Sequence, residues 1–416
     1  MVKEKKFLKG PRLRNIDSYN FPGLKQALKL TPGQVIDKIS KAQLLGRGGA
    51  GFPTGKKWEL AQQQNGKKKY MICNADEGEP GTFKDRYLLE ERPLKILEGI
   101  LIGAYAIGAE DGYIYIRGEY SLPIKIMREL IKEAEEAGIL GGNIFSSGFN
   151  FNLTLVRGAG AYVCGDETSL LNSLEGERGI SRIKPPYPIQ AGLYGCPTVV
   201  NNVESLANAA EILHQGPEKF LSFGTRDSRG TKLICLSGDV NIGEVFEIEF
   251  GSCTLQEIIA DLGGGVKGAD KPKFVIPGGL STAALTPDKL NCRYSYEGLE
   301  EAGSSLGSGA IIVVKDSRDL VDILLKVSRF YMDETCGTCF PCREGNKQIN
   351  NMLKRHKNKK FTPEELKLIE DIGETISAAA RCGLGQTSLT LISSIFANFS
   401  HELIEEVSKN DQPAYR

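Results

Sequence analysis

The 416-residue chain has no surplus of either charge: Lys plus Arg and Asp plus Glu number 52 each. Without a positive excess nothing general draws it to a phosphate backbone or an anionic membrane surface, so nucleic acid is a poor first guess for a partner. Long apolar runs are also missing. The longest stretch, Ile96 to Ala109, contains Glu98 and falls short of the roughly 20 residues that span a bilayer, so a buried core helix is expected there. The start, MVKEKKFLKGPRLRN, lacks the apolar segment of a secretory signal, which points to a reducing cytoplasm where the ten cysteines need a use other than disulfides. There is no internal repeat and no low-complexity segment. A hydrophobic share of 41% excludes a wholly disordered chain, and the length suggests two or three domains.

Glycine is the abundant residue. Many of the 48 fall in clusters, Gly46 to Gly55, Gly158 to Gly165 and Gly263 to Gly265, as expected where backbone bends sharply or is pressed against a ligand. The periodicity predicts a helix from Pro32 to about Leu45, capped by Thr31, a second from Lys56 to Gln64, and a strand from Lys69 to Cys73 leading into a polar loop. A long helix from Leu94 to Ile107, the strand Tyr113 to Ile116, the helix Leu122 to Ala137, the strand Asn152 to Val156 and a helix from Asp166 to Leu174 follow. Strands alternating with helices in this way imply a mostly parallel sheet covered on both faces. From Lys232 to Lys315 the pattern changes to short β-like segments around one helix, Thr254 to Leu262, which reads as a small α+β domain. Beyond Arg318 the periodic segments Leu320 to Phe330, Glu344 to Arg355, Pro363 to Ala379 and Leu389 to Val407 suggest a helical bundle.

Cys336, Cys339 and Cys342 form C-x2-C-x2-C, and Cys382 follows in RCGLGQT. Three thiolates at this spacing wrap one corner of a cubane [4Fe–4S] cluster, and a fourth from the next hairpin closes it. A structural zinc site also takes four thiolates but usually as two separated pairs, so the spacing favours iron–sulfur. Arg343 and Arg381 adjoin these cysteines and either compensate the cluster's charge or are simply solvated. The other six cysteines are expected to be buried and inert.

Gly46-Arg47-Gly48-Gly49-Ala50-Gly51 matches G-x-G-x-x-G, yet a helix and not a strand precedes it, so the ordinary dinucleotide fingerprint is rejected. The physical point survives: glycines let N–H groups approach a phosphate, and the helix after the loop offers its positive end together with Lys56 and Lys57. Asn74-Ala75-Asp76-Glu77-Gly78-Glu79 follows a predicted strand, which sets an amide and three carboxylates at the strand's carboxyl end, where α/β sheets bind ligands; a solvated acidic turn is the plain alternative. The loop Gly158 to Thr168 is expected at the same rim, and Asn201-Asn202 either adds sugar or phosphate contacts there or caps a helix.

GRGGAGFPTGKKW, NADEGEPGTFKDR, GAGAYVCGDETSLLNSLEG, TVVNNVESLAN and CGTCFPCREG, in this order and with Cys382 after them, resemble the NADH-binding flavin subunit of respiratory complex I, the 51-kDa chain or F subunit of NADH:quinone oxidoreductases. The likeness runs from about residue 20 to residue 400, and diaphorase subunits of NAD-linked hydrogenases and formate dehydrogenases share the module. The resemblance implies an α/β protein with an atypical Rossmann-like FMN domain, a small α+β ubiquitin-like (β-grasp) domain and a C-terminal helical bundle. It places an N-terminal helical segment and glycine loop at 1–54, the FMN/NADH domain at 55–224, the β-grasp domain at 225–316 and the bundle with one [4Fe–4S] cluster at 317–416.

By the same resemblance Gly46, Arg47, Gly48, Lys57, Asn74, Asp76, Glu77, Tyr162, Gly165, Asp166, Glu167, Asn201 and Asn202 would line the FMN and nicotinamide site, and Phe52, Glu79, Glu167, Lys184 and Tyr187 would meet NADH. Cys336, Cys339, Cys342 and Cys382 would be the metal ligands. Asp166 stands where the family often carries Glu, and Leu60 where it often carries an aromatic. No side chain need act as acid or base, since the chemistry belongs to the flavin. Carboxylates facing a ribose, with Glu167 and Glu79 the leading candidates, should favour NADH over NADPH. Implied partners are a small thioredoxin-like [2Fe–2S] subunit and a larger cluster-bearing subunit, with the chain peripheral to the membrane through the complex. The basic run Lys354 to Lys360 either faces one of them or ends a solvated helix.

Overall fold

The computed structural model describes residues 4–5, 7–64 and 68–404. Two compact units divide the chain, Met1–Asp316 and Ser317–Arg416. The first unit contains a four-stranded parallel sheet of β1 (Tyr70–Ala75), β2 (Asp111–Ile116), β3 (Asn152–Arg157) and β4 (Thr198–Asn202), in the order β3-β2-β1-β4. From β1 the chain first winds outward through β2 and β3, then returns to add β4 on the other side of β1. The β1/β4 boundary is therefore a topological switch point, and the crevice outside the carboxyl ends of those strands is where such sheets take ligands.

The helices that matter for this rim are α1 (Pro32–Lys41), α2 (Thr54–Gln62), α3 (Lys84–Glu91), α4 (Pro93–Ile107), α5 (Ser121–Glu136), α6 (Glu167–Leu174) and α7 (Val203–Gln215). Thr31 and Gln34 form a reciprocal capping box that fixes the start of α1. α3 lies in what the sequence suggests is a polar loop. It is separated from α4 by Arg92, whose backbone leaves the helical region (φ −132°, ψ 37°) ahead of Pro93, as the proline ring requires. α4 is buried along nearly its whole length and crosses α7 closely, because at Gly99 an added Cβ would stand 2.1 Å from the Leu206 carbonyl oxygen.

A second sheet in the same unit consists of β5 (Thr231–Gly238), β6 (Val245–Glu249), β7 (Pro272–Ile276) and β8 (Ala310–Lys315), in the order β6-β5-β8-β7. Its central pair, β5 and β8, is parallel, and both outer pairs are antiparallel. The helix read at Thr254 to Leu262 is one short turn, Leu255–Glu257, that widens into a π-helix over Ile258–Leu262. Ile258 from it packs with Ile234, Leu236, Ile248, Val275 and Ile311 of the sheet in one core. The N-terminal segment lies along β6: the Lys5 amide donates to the Glu247 carbonyl at 2.7 Å, and the Leu8 and Lys9 amides donate to the Glu247 carboxylate at 2.9 and 2.8 Å.

The second unit consists of α8 (Leu320–Glu334), α9 (Phe340–Arg355), α10 (Pro363–Ala379), a short helix Gly383–Thr387 and α11 (Thr390–Leu403). α9 begins four residues before the predicted Glu344, since Pro341 sits in its first turn, where the missing N–H costs nothing. α11 ends at Leu403; residues 405–407 of the predicted Leu389 to Val407 segment lie outside the described residues. Among the described residues no helix is long and apolar enough to cross a membrane.

Candidate functional site

Four stretches of chain meet at the carboxyl ends of β1 and β4. The glycine loop leaves α1, is pinned by the Gly46 amide donating to the Phe52 carbonyl at 2.9 Å, and enters α2. Gly49 and Gly51 have φ of 136° and 66°, backbone that other residues rarely adopt. At Gly48 an added Cβ would stand 3.2 Å from Cβ of Asn202, so the loop lies directly on the end of β4. Asn74 and Asn202 are register partners across β1 and β4. The Asn74 amide donates to the Gly165 carbonyl at 2.9 Å, which joins the loop after β1 to the loop after β3.

The carboxylates of the acidic loop face different ways. Glu77 is buried and accepts from the Asp85 and Arg86 amides at 2.8 and 3.1 Å and from the Tyr120 hydroxyl at 3.0 Å, so it anchors the start of α3. Burial, helped by the Asp85 charge, pushes its carboxyl up to about 7. Glu79 accepts from the Tyr162 hydroxyl at 2.5 Å and from the Ser281 amide at 3.1 Å, and burial pushes its carboxyl up against those donors. The Asp76 amide donates to Asn74 Oδ1 at 3.0 Å, and the Asp76 side chain is buried.

Glu167, in the first turn of α6, lies between two ammonium groups, Lys57 at 3.2 Å and Lys184 at 3.4 Å. Lys184 also faces Asp166 at 3.7 Å, and Asp166 caps α6 by accepting from the Thr168 and Ser169 amides. The Phe52 ring stands 5.9 Å from Lys57 Nζ and is 47% exposed, and Tyr187 is 51% exposed, so both offer free aromatic faces. Of the residues expected to meet NADH, Phe52, Glu167 and Lys184 are linked at one place through Lys57, while Glu79 belongs to a separate contact with Tyr162 and Ser281. Leu60, on α2, is partly exposed.

Other predicted residues turn inward. Asn201 accepts from the Trp58 indole at 2.8 Å. Asn202 caps α7 through the Glu204 amide at 3.0 Å, accepts from Lys84 at 3.1 Å and donates to Asp85 at 2.6 Å, so both its side-chain oxygen and its nitrogen are engaged in the protein interior. The buried Arg47 donates from its amide to Ser205 and from Nη2 to the Arg229 carbonyl at 2.7 Å, with its guanidinium 4.8 Å from the Phe250 ring. Arg47 Nε and Nη1 are buried with no hydrogen-bond partner. Lys84, Asp85 and Glu204, which sequence reasoning did not single out, are buried here; Lys84 and Asp85 stand inside the quoted NADEGEPGTFKDR, but nothing local signals that these charges are internal.

In the second unit Cys336 and Cys339 precede α9, Cys342 lies in its first turn, and Cys382 is the cap of the helix Gly383–Thr387. Gly385 of that helix lies against Cys342, where an added Cβ would be 3.2 Å from Sγ. Burial pushes the Cys342 thiol up, and the neighbouring Cys339 and Cys336 add to this. Arg343 Nη1 donates to the Gly337 carbonyl at 2.6 Å and so ties the cysteine loop to α9. Among the described residues no three His, Cys, Asp or Glu side chains are close enough to hold a single metal ion. A cubane keeps its ligands further apart than one ion does, and four thiols from two adjoining hairpins are a donor set suited to it.

The comparisons with known proteins agree with this assembly. The family model of the Nuo51 FMN-binding domain matches residues 39–211, and that of the NADH-ubiquinone oxidoreductase-F iron-sulfur binding region matches residues 322–406. The F subunit of the NADH-quinone oxidoreductase of Aquifex aeolicus is 44% identical over 95% of this chain and 92% of its own length. The NADP-reducing hydrogenase subunit HndC of Solidesulfovibrio fructosivorans is 42% identical over 96% and 82%. A crystal structure of an NAD+-reducing [NiFe]-hydrogenase in the H2-reduced state superposes with a TM-score of 0.86 at 32% identity, covering 99% of this chain and 69% of that one. The chain belongs to the family of NADH-quinone oxidoreductase F subunits, flavin and iron–sulfur members of that oxidoreductase.

Proposed function

We propose that this chain oxidises NADH as the flavin subunit of an NADH:quinone oxidoreductase, with FMN at the switch point of the parallel sheet and one [4Fe–4S] cluster on Cys336, Cys339, Cys342 and Cys382. The observation that carries the reading is the convergence at one rim of the glycine loop, the loops after β1 and β3 and the start of α7. The four-part division 1–54, 55–224, 225–316 and 317–416 belongs to this reading. The ubiquitin-like description of the third part is supported by a mixed sheet in the order β6-β5-β8-β7 with a helical turn between β6 and β7.

When bound, the flavin turns a two-electron hydride transfer into single-electron transfers that a cluster can accept. The protein binds and orients. Gly46 and Gly48 keep backbone close to the flavin, and Phe52 and Tyr187 offer faces on which a base stacks. Glu167, held between Lys57 and Lys184, presents carboxylate oxygens to ribose hydroxyls. A 2′-phosphate would meet Asp166 and Glu167 side by side, which favours NADH. Electrons leave through a small [2Fe–2S] subunit and a larger cluster-bearing subunit, with the chain on the cytoplasmic side and peripheral to the membrane. A second reading, the diaphorase subunit of a hydrogenase, is favoured by the 42% identity to the hydrogenase subunit HndC.

Purification with the products of neighbouring genes tests both. Flavin bands with a broad iron–sulfur shoulder, and NADH-dependent reduction of ferricyanide, are expected; in the chain purified alone, Cys382→Ala should remove the shoulder and leave the flavin bands. A colourless protein ends the reading, and co-purifying nickel selects the hydrogenase assembly.

A further inference from the structure

A buried chain of charges connects the second sheet to the rim of the first. Lys232 on β5 is fully buried, and its ammonium donates to Glu204 Oε2 at 2.5 Å. Glu204 stands in the first turn of α7; its other oxygen accepts from the Leu233 amide at 2.9 Å, and Lys84 Nζ lies 3.1 Å from Oε2. Lys84 passes the connection to Asp85 at 2.6 Å and to Asn202 Oδ1 at 3.1 Å, and Asp85 closes the ring by accepting from Asn202 Nδ2. Burial by itself would push the Glu204 carboxyl up, but Lys232, Lys84 and Arg47 outweigh it and hold it below the usual range. The residue just before β8 makes room for this lysine: at Gly309 an added Cβ would stand 2.9 Å from Lys232 Cε.

The second sheet and the segments around it also grip the glycine loop. The Arg47 guanidinium turns to the Arg229 carbonyl and the Phe250 ring, and the Tyr296 hydroxyl donates to the Gly46 carbonyl at 3.2 Å. With Asn202 Oδ1 and one Nδ2 hydrogen committed to Lys84, Glu204 and Asp85, this network sets the position of the end of β4 and of Gly48 above it.

We infer that the region 225–316 is part of the flavin site, and that Lys232 and Tyr296 are positioning residues that hold Asn202 and the glycine loop in the geometry that binds FMN. The inference rests on the flavin reading above. Buried ionic networks are weak sources of stability but in some proteins hold one arrangement against others, and at metal sites the loss of residues that orient the ligands costs about 10- to 100-fold in affinity, a scale we carry over to this flavin site.

The test is FMN titration of the full-length chain, freed of flavin, by fluorescence quenching, alongside thermal melting of the flavin-free protein. Lys232→Met should raise the FMN Kd by about tenfold or more, measured below its melting transition, and should also lower the melting temperature because Glu204 loses a buried partner; Lys232→Arg, which restores the charge, should recover most of the lost affinity. Tyr296→Phe, which removes one hydroxyl and keeps the ring, should weaken FMN by a smaller factor and serves if Lys232→Met does not fold. Wild-type affinity in Lys232→Met, or in Tyr296→Phe where the first variant is unfolded, overturns the inference while leaving the flavin reading intact. Failure of the wild-type chain to take up FMN overturns both.

Discussion

Glu77 shows how far a residue's place in a motif stands from its work. Its position in NADEGEP suggests a ligand carboxylate, whereas its oxygens are spent on the first amides of α3 and on Tyr120. Whether a carboxylate faces a pocket or a helix start depends on what the chain does eight residues later, and no local pattern carries that. The consequence is a pH effect. The folded chain lifts Glu77 from its ordinary 4.5 to about 7, so between those values the folded state binds a proton that the unfolded state has lost. Stability should therefore fall as pH rises through this window, by at most about 1.4 kcal/mol per pH unit. Glu77→Gln, compared with wild type by thermal melting from pH 5 to 8, should flatten that slope while melting lower at acid pH, because its amide nitrogen cannot accept from the α3 amides and Tyr120 as the second Glu77 oxygen does. The run Cys336, Cys339 and Cys342 is conspicuous for the opposite reason: the spacing from which we propose a cluster site is itself the geometric requirement of one.

Helices and strands were legible where local signals agreed with packing. Thr31-Pro32, Pro93 and Pro363 open helices, and the alternation of strands with helices forecast a parallel sheet. α3 was not legible because its eight residues, KDRYLLEE, are polar on average and its two buried charges, Lys84 and Asp85, find partners only in the folded chain. Gly99 is likewise silent in the sequence, since within a helix alanine is normally preferred by about 1 kcal/mol. Here the clash decides. With an added Cβ only 2.1 Å from the Leu206 carbonyl oxygen, α4 and α7 would have to part, and overpacking of this kind costs about 1–3 kcal/mol. Gly99→Ala should therefore lower the melting temperature, and because Asn202 caps α7 at the rim it should also weaken flavin retention; an unchanged or raised melting temperature would show that the crossing is softer than its geometry.

At the scale of the molecule, the sequence yields the succession of a parallel sheet, a mixed sheet and a helical unit from the change in periodicity, because each part has its own pattern. It conceals the ties between parts, which run through single buried groups such as Lys232 and Glu204. The N-terminal segment is another such tie. β6 is an edge strand, and Lys5, Leu8 and Lys9 occupy both its carbonyl at Glu247 and the buried carboxylate of that residue. A chain trimmed of its first nine residues would bare an unprotected sheet margin, the kind of surface on which identical molecules stick to one another. Such a product should elute as aggregates in size-exclusion chromatography with light scattering, so handles for purification belong at the other terminus.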